Sequence, residues 1–274
     1  MAMDQISGML ESFKIPKIPN FNLAEFEKMR IQWANEAEGN LKGMDCRICR
    51  NKGYIVYLNE DGDEICRECN CMMQRQTMAR IERSGLQKLL ASHTFENYRT
   101  NAEWQKSAKE KAEYFAKNPN GWLFIGGQSG AGKTHLCTAV CNVLIRKGYE
   151  VRYVLWRELL HRLESNRFED SNYIQILDEI KTVNVLYLDD FLKANGDKSK
   201  ITSSIEYAFE IINARYNAKK LTLISSEWMI SEIAHLDEAT AGRIVQSANG
   251  NTIMIERNMD RNFRANRKNI FINK

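Results

Sequence analysis

Proline is nearly missing from this 274-residue chain, with only Pro16, Pro19 and Pro119 present. Little beyond position 119 therefore interrupts regular structure. Long apolar runs are missing too. No stretch approaches the roughly 20 residues that a membrane-spanning helix needs, and the N-terminus lacks the charged-then-apolar pattern of an export signal. The sequence thus predicts a cytoplasmic protein. Internal repeats and low-complexity tracts are absent. So is any strong excess of one charge, because 39 Lys and Arg face 35 Asp and Glu. An odd count of seven cysteines without an export signal argues against a disulfide framework. What remains, at 43% hydrophobic and 27% charged residues, is a soluble globular composition. The length suits one globular core of ordinary size plus a small module.

The uneven charge sits at the C-terminus, where Arg257, Arg261, Arg264, Arg267, Lys268 and Lys274 face a single acid, Asp260. Such a segment can contact nucleic-acid phosphates or simply be solvated. Residues 21–42 read as a helix, with Leu23, Phe26, Met29 and Trp33 at three- and four-residue steps. Residues 72–91 read as a second helix, basic through Arg75, Arg80 and Arg83. A linker, His93–Thr100, precedes a helix over 102–117. Apolar strands are then expected at Trp122–Gly126, Val151–Trp156, Val183–Asp189, Leu221–Ser225 and Thr252–Glu256. Helical segments such as Lys133–Lys147 and Ser203–Asn217 lie between them. Alternation of this kind means an α/β core whose parallel sheet is covered on both faces.

Gly127-Gln128-Ser129-Gly130-Ala131-Gly132-Lys133-Thr134 fits the phosphate-binding loop G-x-x-x-x-G-K-[ST], with an apolar strand before it and a helix starting at Lys133. Glycines let successive backbone N–H groups wrap a phosphate. Lys133 would neutralise the β- and γ-phosphates of ATP, and the Thr134 hydroxyl would ligate Mg²⁺. His135 follows as a nucleotide-site or packing residue. The strand ending in Asp189-Asp190 offers Asp189 as the carboxylate that holds the metal and Asp190 as the one that orients the attacking water. One of the two could instead cap a helix. At the next strand end, Ser226 could touch the γ-phosphate or cap the helix near Trp228. Arg243 lies in an expected helix, as a surface residue or as an arginine offered to a neighbour's nucleotide. Cys137 and Cys141 read as small buried side chains.

Five cysteines cluster at Cys46, Cys49, Cys66, Cys69 and Cys71. Two pairs on hairpin turns make a tetrahedral thiolate site suited to Zn²⁺. Cys46 and Cys49 form one pair, and any two of the other three form the second. An iron–sulfur cluster is the rival.

The segments GQSGAGKTHL, VLYLDDF, LISSE and AGRI, together with CRICRNKGYI, CNCM, RIERSGL and HTFENY, resemble helicase-loader ATPases of the DnaC/DnaI group, related to IstB. The likeness is greatest to phage-encoded members with an N-terminal cysteine module. The resemblance implies an AAA+ core with sheet order 5-1-4-3-2 and a replicative DNA helicase as partner. It also implies contact with single-stranded DNA and self-association that brings Arg243 to a neighbour as arginine finger. By the same likeness Ser225–Ser226 is the sensor strand end and His93–Tyr98 line the adenine; no sensor-two arginine stands out, and Arg264 is the candidate for it. A C-x-C second pair selects Cys69 and Cys71, with Cys66 as alternate. Two departures stand out, since Glu227 occupies a place often held by Asn and Asp190 replaces a usual Glu. The division expected is a helicase-binding segment at 1–44, a zinc module and linker helix at 45–92, and the ATPase at 93–274. An IstB-like transposition ATPase and a zinc-dependent DNA adaptor that binds ATP are the alternatives.

Overall fold

The computed structural model describes residues 22–60, 62–168, 170–193 and 198–266. They divide into two compact units, one reaching to Gln76 and one starting at Thr77.

The first unit holds helix α1 (Leu23–Glu36) and a hairpin of β1 (Tyr54–Leu58) and β2 (Glu64–Glu68), followed by the start of α2 (Cys71–Ser84). The hairpin is antiparallel, with Val56 opposite Cys66. Helix α1 forms inside the segment expected at 21–42 but ends at Glu36, and the apolar stripe is not what docks it. Asn35 instead exchanges two hydrogen bonds with the backbone of Val56, at 2.7 and 3.0 Å. Phe26, Met29 and Trp33 stay exposed, Trp33 by 58%.

The expected single helix over 72–91 is two. Helix α2 stops at Ser84, Gly85 takes φ +76°, and a short α3 (Gln87–Leu90) follows. A glycine in the left-handed region ends a helix at little cost. Ser84 Oγ also donates to the Ile81 carbonyl and accepts from Leu86 N–H.

In the second unit α4 (Glu103–Lys117) leads into β3 (Trp122–Gly127), α5 (Lys133–Arg146), β4 (Val151–Leu155), α6 (Trp156–Ser165) and α7 (Asp170–Thr182). Then come β5 (Val185–Asp189), α8 (Lys198–Asn217), β6 (Leu221–Ser226), α9 (Ile230–Leu236), α10 (Glu238–Ala248) and β7 (Thr252–Ile255). A 3₁₀ turn (Met259–Arg261) and α11 (Phe263–Asn266) close the described chain. Trp156 begins α6 rather than ending β4.

The five strands are parallel in the order β4-β5-β6-β3-β7. Numbered within the core from β3, this is 5-1-4-3-2. Side chains alternate between two apolar layers. Leu123, Ile125, Val185, Tyr187 and Leu223 pack with α4 and α5 on one face. Trp122, Phe124, Leu186, Leu188 and Ile224 pack with α6, α7, α8 and α10 on the other. A period of two on strands buried on both sides explains why they read as unbroken apolar runs. Among the described residues no helix is long and apolar enough to cross a membrane.

Candidate functional site

β3 delivers the glycine-rich loop to the C-terminal edge of the sheet, and α5 starts at Lys133. Gly132 sits at φ +89°, and a Cβ there would lie 2.9 Å from the Tyr98 ring. Glycine is thus required twice over, by dihedral and by space. Lys133 is buried, its Nζ donating to the carbonyls of Gly127 (3.0 Å) and Gln128 (2.8 Å). Burial lowers its pKa, opposed chiefly by the charge of Glu227. The chain after β7 clasps the loop: Gln128 Oε1 accepts from Asn258 N–H at 2.9 Å and Gly130 O from Phe263 N–H at 3.1 Å.

Thr134 Oγ1 donates to Asp189 Oδ1 at 3.0 Å. That pairing of a hydroxyl with a carboxylate fits a hydrated Mg²⁺. Asp189 is 4% exposed, and its carboxylate also accepts from Tyr187 Oη (2.9 Å), Tyr153 Oη (3.1 Å), Ser225 Oγ and Asp190 N–H (3.1 Å). Neither tyrosine was singled out from the sequence. Tyr187 lies two residues before Asp189 and so on the same strand face, which was the available signal. Tyr153 is its register partner on β4, which only the sheet order discloses.

The strand-end serine needs correction. Ser226 is buried with its hydroxyl donating to the Phe191 carbonyl (2.7 Å) and accepting from Trp228 N–H (3.1 Å). It caps no helix, because α9 begins at Ile230 after Met229; its hydroxyl closes a turn with Trp228 and holds Phe191, and Ser225 is the serine at the carboxylate. Alternation along β6 puts Ser225 with Leu223 and Tyr187, and Ser226 with Ile224.

A cavity beside the loop is lined by His93, Ser129, Gly130, Gly132, Lys133, Thr134, His135, Asp190, Glu227 and Arg264. A second cavity shares His93, Gly132, His135 and Arg264 with it and adds Tyr98, Arg99, Gln105 and Phe263. The phosphate end and an aromatic-lined end are thus contiguous. His135 Nε2 meets the Thr94 carbonyl at 2.7 Å, and its ring stands 4.7 Å from His93 and 5.3 Å from Tyr98. It pins the linker to α5, and burial lowers its pKa. Among the described residues Tyr98 Oη is buried without a hydrogen-bond partner. Phe95 belongs to the apolar core instead.

Arg243 does not line either cavity. On α10, its Nε donates to Asn213 Oδ1 (3.0 Å) and its guanidinium lies over Phe209 (4.9 Å) and Tyr216 (5.8 Å). In the basic C-terminal segment Arg257 pairs with Glu232 (2.9 Å) and Arg261 with Glu256 (3.2 Å). Arg267, Lys268 and Lys274 lie outside the described residues.

In the first unit Cys46, Cys49, Cys69 and Cys71 bring their sulfurs within 4.8 Å of one another. Cys46–Cys69 is 3.8 Å and Cys49–Cys71 is 3.5 Å. Four thiolates about 2.3 Å from a tetrahedral Zn²⁺ lie about 3.8 Å apart, so the donor set fits. Burial raises the Cys49 thiol, but the Gly53 N–H and neighbouring thiols bring it down to about 6. Cys66, exposed on β2, stands apart from the four. Cys137 and Cys141 are buried on α5.

A family model described as IstB-like ATP binding protein matches residues 61–245. The phage-like element PBSX protein XkdC of Bacillus subtilis is 29% identical over 80% of this chain and 85% of its own length. Replicative helicase loader DnaC of Escherichia coli K12 is 25% identical over 62% of this chain and 68% of its own. A crystal structure of the DnaC helicase loader matches in fold, with a TM-score of 0.50 at 23% identity over 62% of this chain and 99% of that one. With the loop, the Asp189 strand and both serines inside the matched region, this chain belongs to the IstB-like ATP-binding proteins and carries their AAA+ core.

Proposed function

We propose that this protein is a cytoplasmic ATPase that loads a replicative DNA helicase onto single-stranded DNA. The observation that carries the reading is the similarity to the helicase loader DnaC, joined to a complete phosphate loop with Thr134 set against Asp189. In this reading Lys133 leaves the Gly127 and Gln128 carbonyls for the β- and γ-phosphates. Thr134 and Asp189 hold Mg²⁺, which neutralises phosphate charge. Asp190 orients the attacking water, and Arg264 contacts the phosphates from the C-terminal segment. Zn²⁺ on Cys46, Cys49, Cys69 and Cys71 shapes a module too small to hold a core of its own. The exposed Phe26–Met29–Trp33 face of α1 belongs to the segment that meets the helicase.

The test is copurification and size-exclusion of the full chain with its host's replicative helicase, in ATP and in ADP, beside Lys133→Ala. A stoichiometric complex whose lifetime or DNA loading depends on nucleotide is expected. No complex in any nucleotide state overturns the reading. The family match then favours the transposition ATPase, to be tried with a transposase and double-stranded DNA.

A further inference from the structure

The loops that follow β5 and β6 carry two charges, Lys193 and Glu227, that the ATP-binding description leaves over. Because β6 lies between β5 and β3 in the sheet, the residue after β6 emerges between the metal carboxylate and the phosphate loop. That residue is Glu227. It lines the same cavity as Ser129, Lys133, Thr134 and Asp190, and its charge is the chief one opposing the burial that lowers the Lys133 pKa.

Lys193 stands behind it. Its Nζ is 2.9 Å from Glu227 Oε1 and 3.1 Å from Asp190 Oδ2, so one ammonium bridges both acids. The loop that brings Lys193 there is strained. Asp190 and Leu192 take φ +52° and +59°, a left-handed region that residues with a side chain adopt only at a cost. It is also fastened, through Ser226 Oγ to the Phe191 carbonyl and Trp228 Nε1 to the Leu192 carbonyl (3.1 Å). Burial tends to raise the Glu227 pKa, but the Lys193 hydrogen bond holds it below the usual carboxylate range. The group therefore stays an acceptor at neutral pH. A bare carboxylate facing a triphosphate would only repel it; the Lys193 ammonium offsets that repulsion and keeps the carboxylate in the ionised form that can accept a proton, at the cost of some basicity.

We propose that Glu227 is a catalytic residue that accepts the proton of the attacking water, with Asp190 orienting that water and Lys193 acting as the positioning residue for both carboxylates. The inference rests on the ATPase reading. The water oxygen forms its bond to the γ-phosphorus as the bond from that phosphorus to the bridging oxygen breaks. The electron pair leaves on ADP, and the water proton passes to Glu227 and then to solvent.

The experiment uses the full chain, under the conditions in which the wild type turns over ATP best. It measures single-turnover hydrolysis and, separately, the affinity for a non-hydrolysable ATP analogue and for ADP. Glu227→Gln should slow hydrolysis by roughly 10²–10⁴-fold, the usual worth of a general base. Its analogue affinity should be equal to or tighter than that of the wild type, because a like charge is gone. Lys193→Met should lower kcat at least tenfold with KM changed less than threefold, and Lys193→Arg should recover part of the loss. Hydrolysis by Glu227→Gln within threefold of wild type, with analogue binding intact, overturns the proposal and leaves the ATPase reading standing. Tight ATP binding with no turnover by the wild type overturns both.

Discussion

At the scale of single residues the site is an acid held by hydroxyls. Asp189 accepts from Thr134, Tyr153, Tyr187 and Ser225, so its orientation is set before any ion arrives, and the Ser225 bond should matter to the metal. We expect Ser225→Ala to weaken Mg²⁺-dependent nucleotide binding roughly 10- to 100-fold, the usual cost of losing such an outer partner. Ser226→Ala should leave the Mg²⁺ dependence intact and cost about 1 kcal/mol of stability through its lost hydrogen bonds to Phe191 and Trp228. A nucleotide titration at several Mg²⁺ concentrations separates them; equal Mg²⁺ dependence in the two variants refutes the assignment. The motif residues Lys133, Thr134 and Asp189 were legible because their spacing is fixed by the phosphate they bind. Ser225 could not be told from Ser226 without knowing which sheet face carries α5. His135 makes a second case. Burial lowers its pKa, so the unfolded chain binds the proton more readily. Its contribution is complete above the unfolded value of about 6.5 and is lost as pH falls through the folded one. Unfolding midpoints should therefore drop as pH falls below about 6.5, with a shallower slope in His135→Gln. An unchanged slope in that variant would place the pH dependence elsewhere.

At the scale of elements the strands were legible to within one or two residues, because parallel strands buried on both faces must be apolar throughout. Helix limits were less so: Gly85 splits the segment expected to run through 72–91. A buried arginine was invisible. Arg215, in a stretch that reads as an ordinary amphipathic helix, is fully buried. Its guanidinium donates to the carbonyls of Ile180, Lys181, Val183 and Leu221 and to Thr222 Oγ1. It thus satisfies the carbonyls at the C-terminal end of α7 while tying α8 to the start of β6. Arg215→Ala strands those acceptors and opens a cavity, and should lower unfolding free energy by roughly 3–5 kcal/mol. Arg215→Lys, with three donors for five contacts, should fall between. Urea denaturation would show it, and a loss under 1 kcal/mol for the alanine variant would contradict the role. The hairpin unit depends on its thiols in a similar way. One zinc per chain is expected, retained in Cys66→Ser and lost in Cys49→Ser together with the unit's secondary structure. Metal analysis with circular dichroism decides this, and zinc loss in Cys66→Ser would reassign the ligands.

At the scale of the whole molecule Arg243 forces a choice that one chain cannot make alone. It lies on α10, outside the cavities at the phosphate loop, and is kept in a fixed orientation by Asn213 and the Phe209 and Tyr216 rings. A surface arginine with no task has little reason to be held by two aromatic faces and an amide. If it serves a nucleotide, that nucleotide belongs to another copy, and hydrolysis becomes a property of an assembly rather than of a protomer. Mixing tests this directly. Lys133→Ala keeps Arg243 but loses its own phosphate contact, while Arg243→Ala keeps its nucleotide site but offers no finger. Each alone should be slow, Arg243→Ala by about 10³-fold or more if the guanidinium stabilises transition-state charge. Together they should regain activity, because a Lys133→Ala copy can present its Arg243 to an Arg243→Ala neighbour holding ATP. The recovered rate should rise with total protein concentration as mixed assemblies form. Arg243→Ala turning over ATP at the wild-type rate would remove the residue from the reaction, and a slow mixture with no recovery would confine its effect to its own chain.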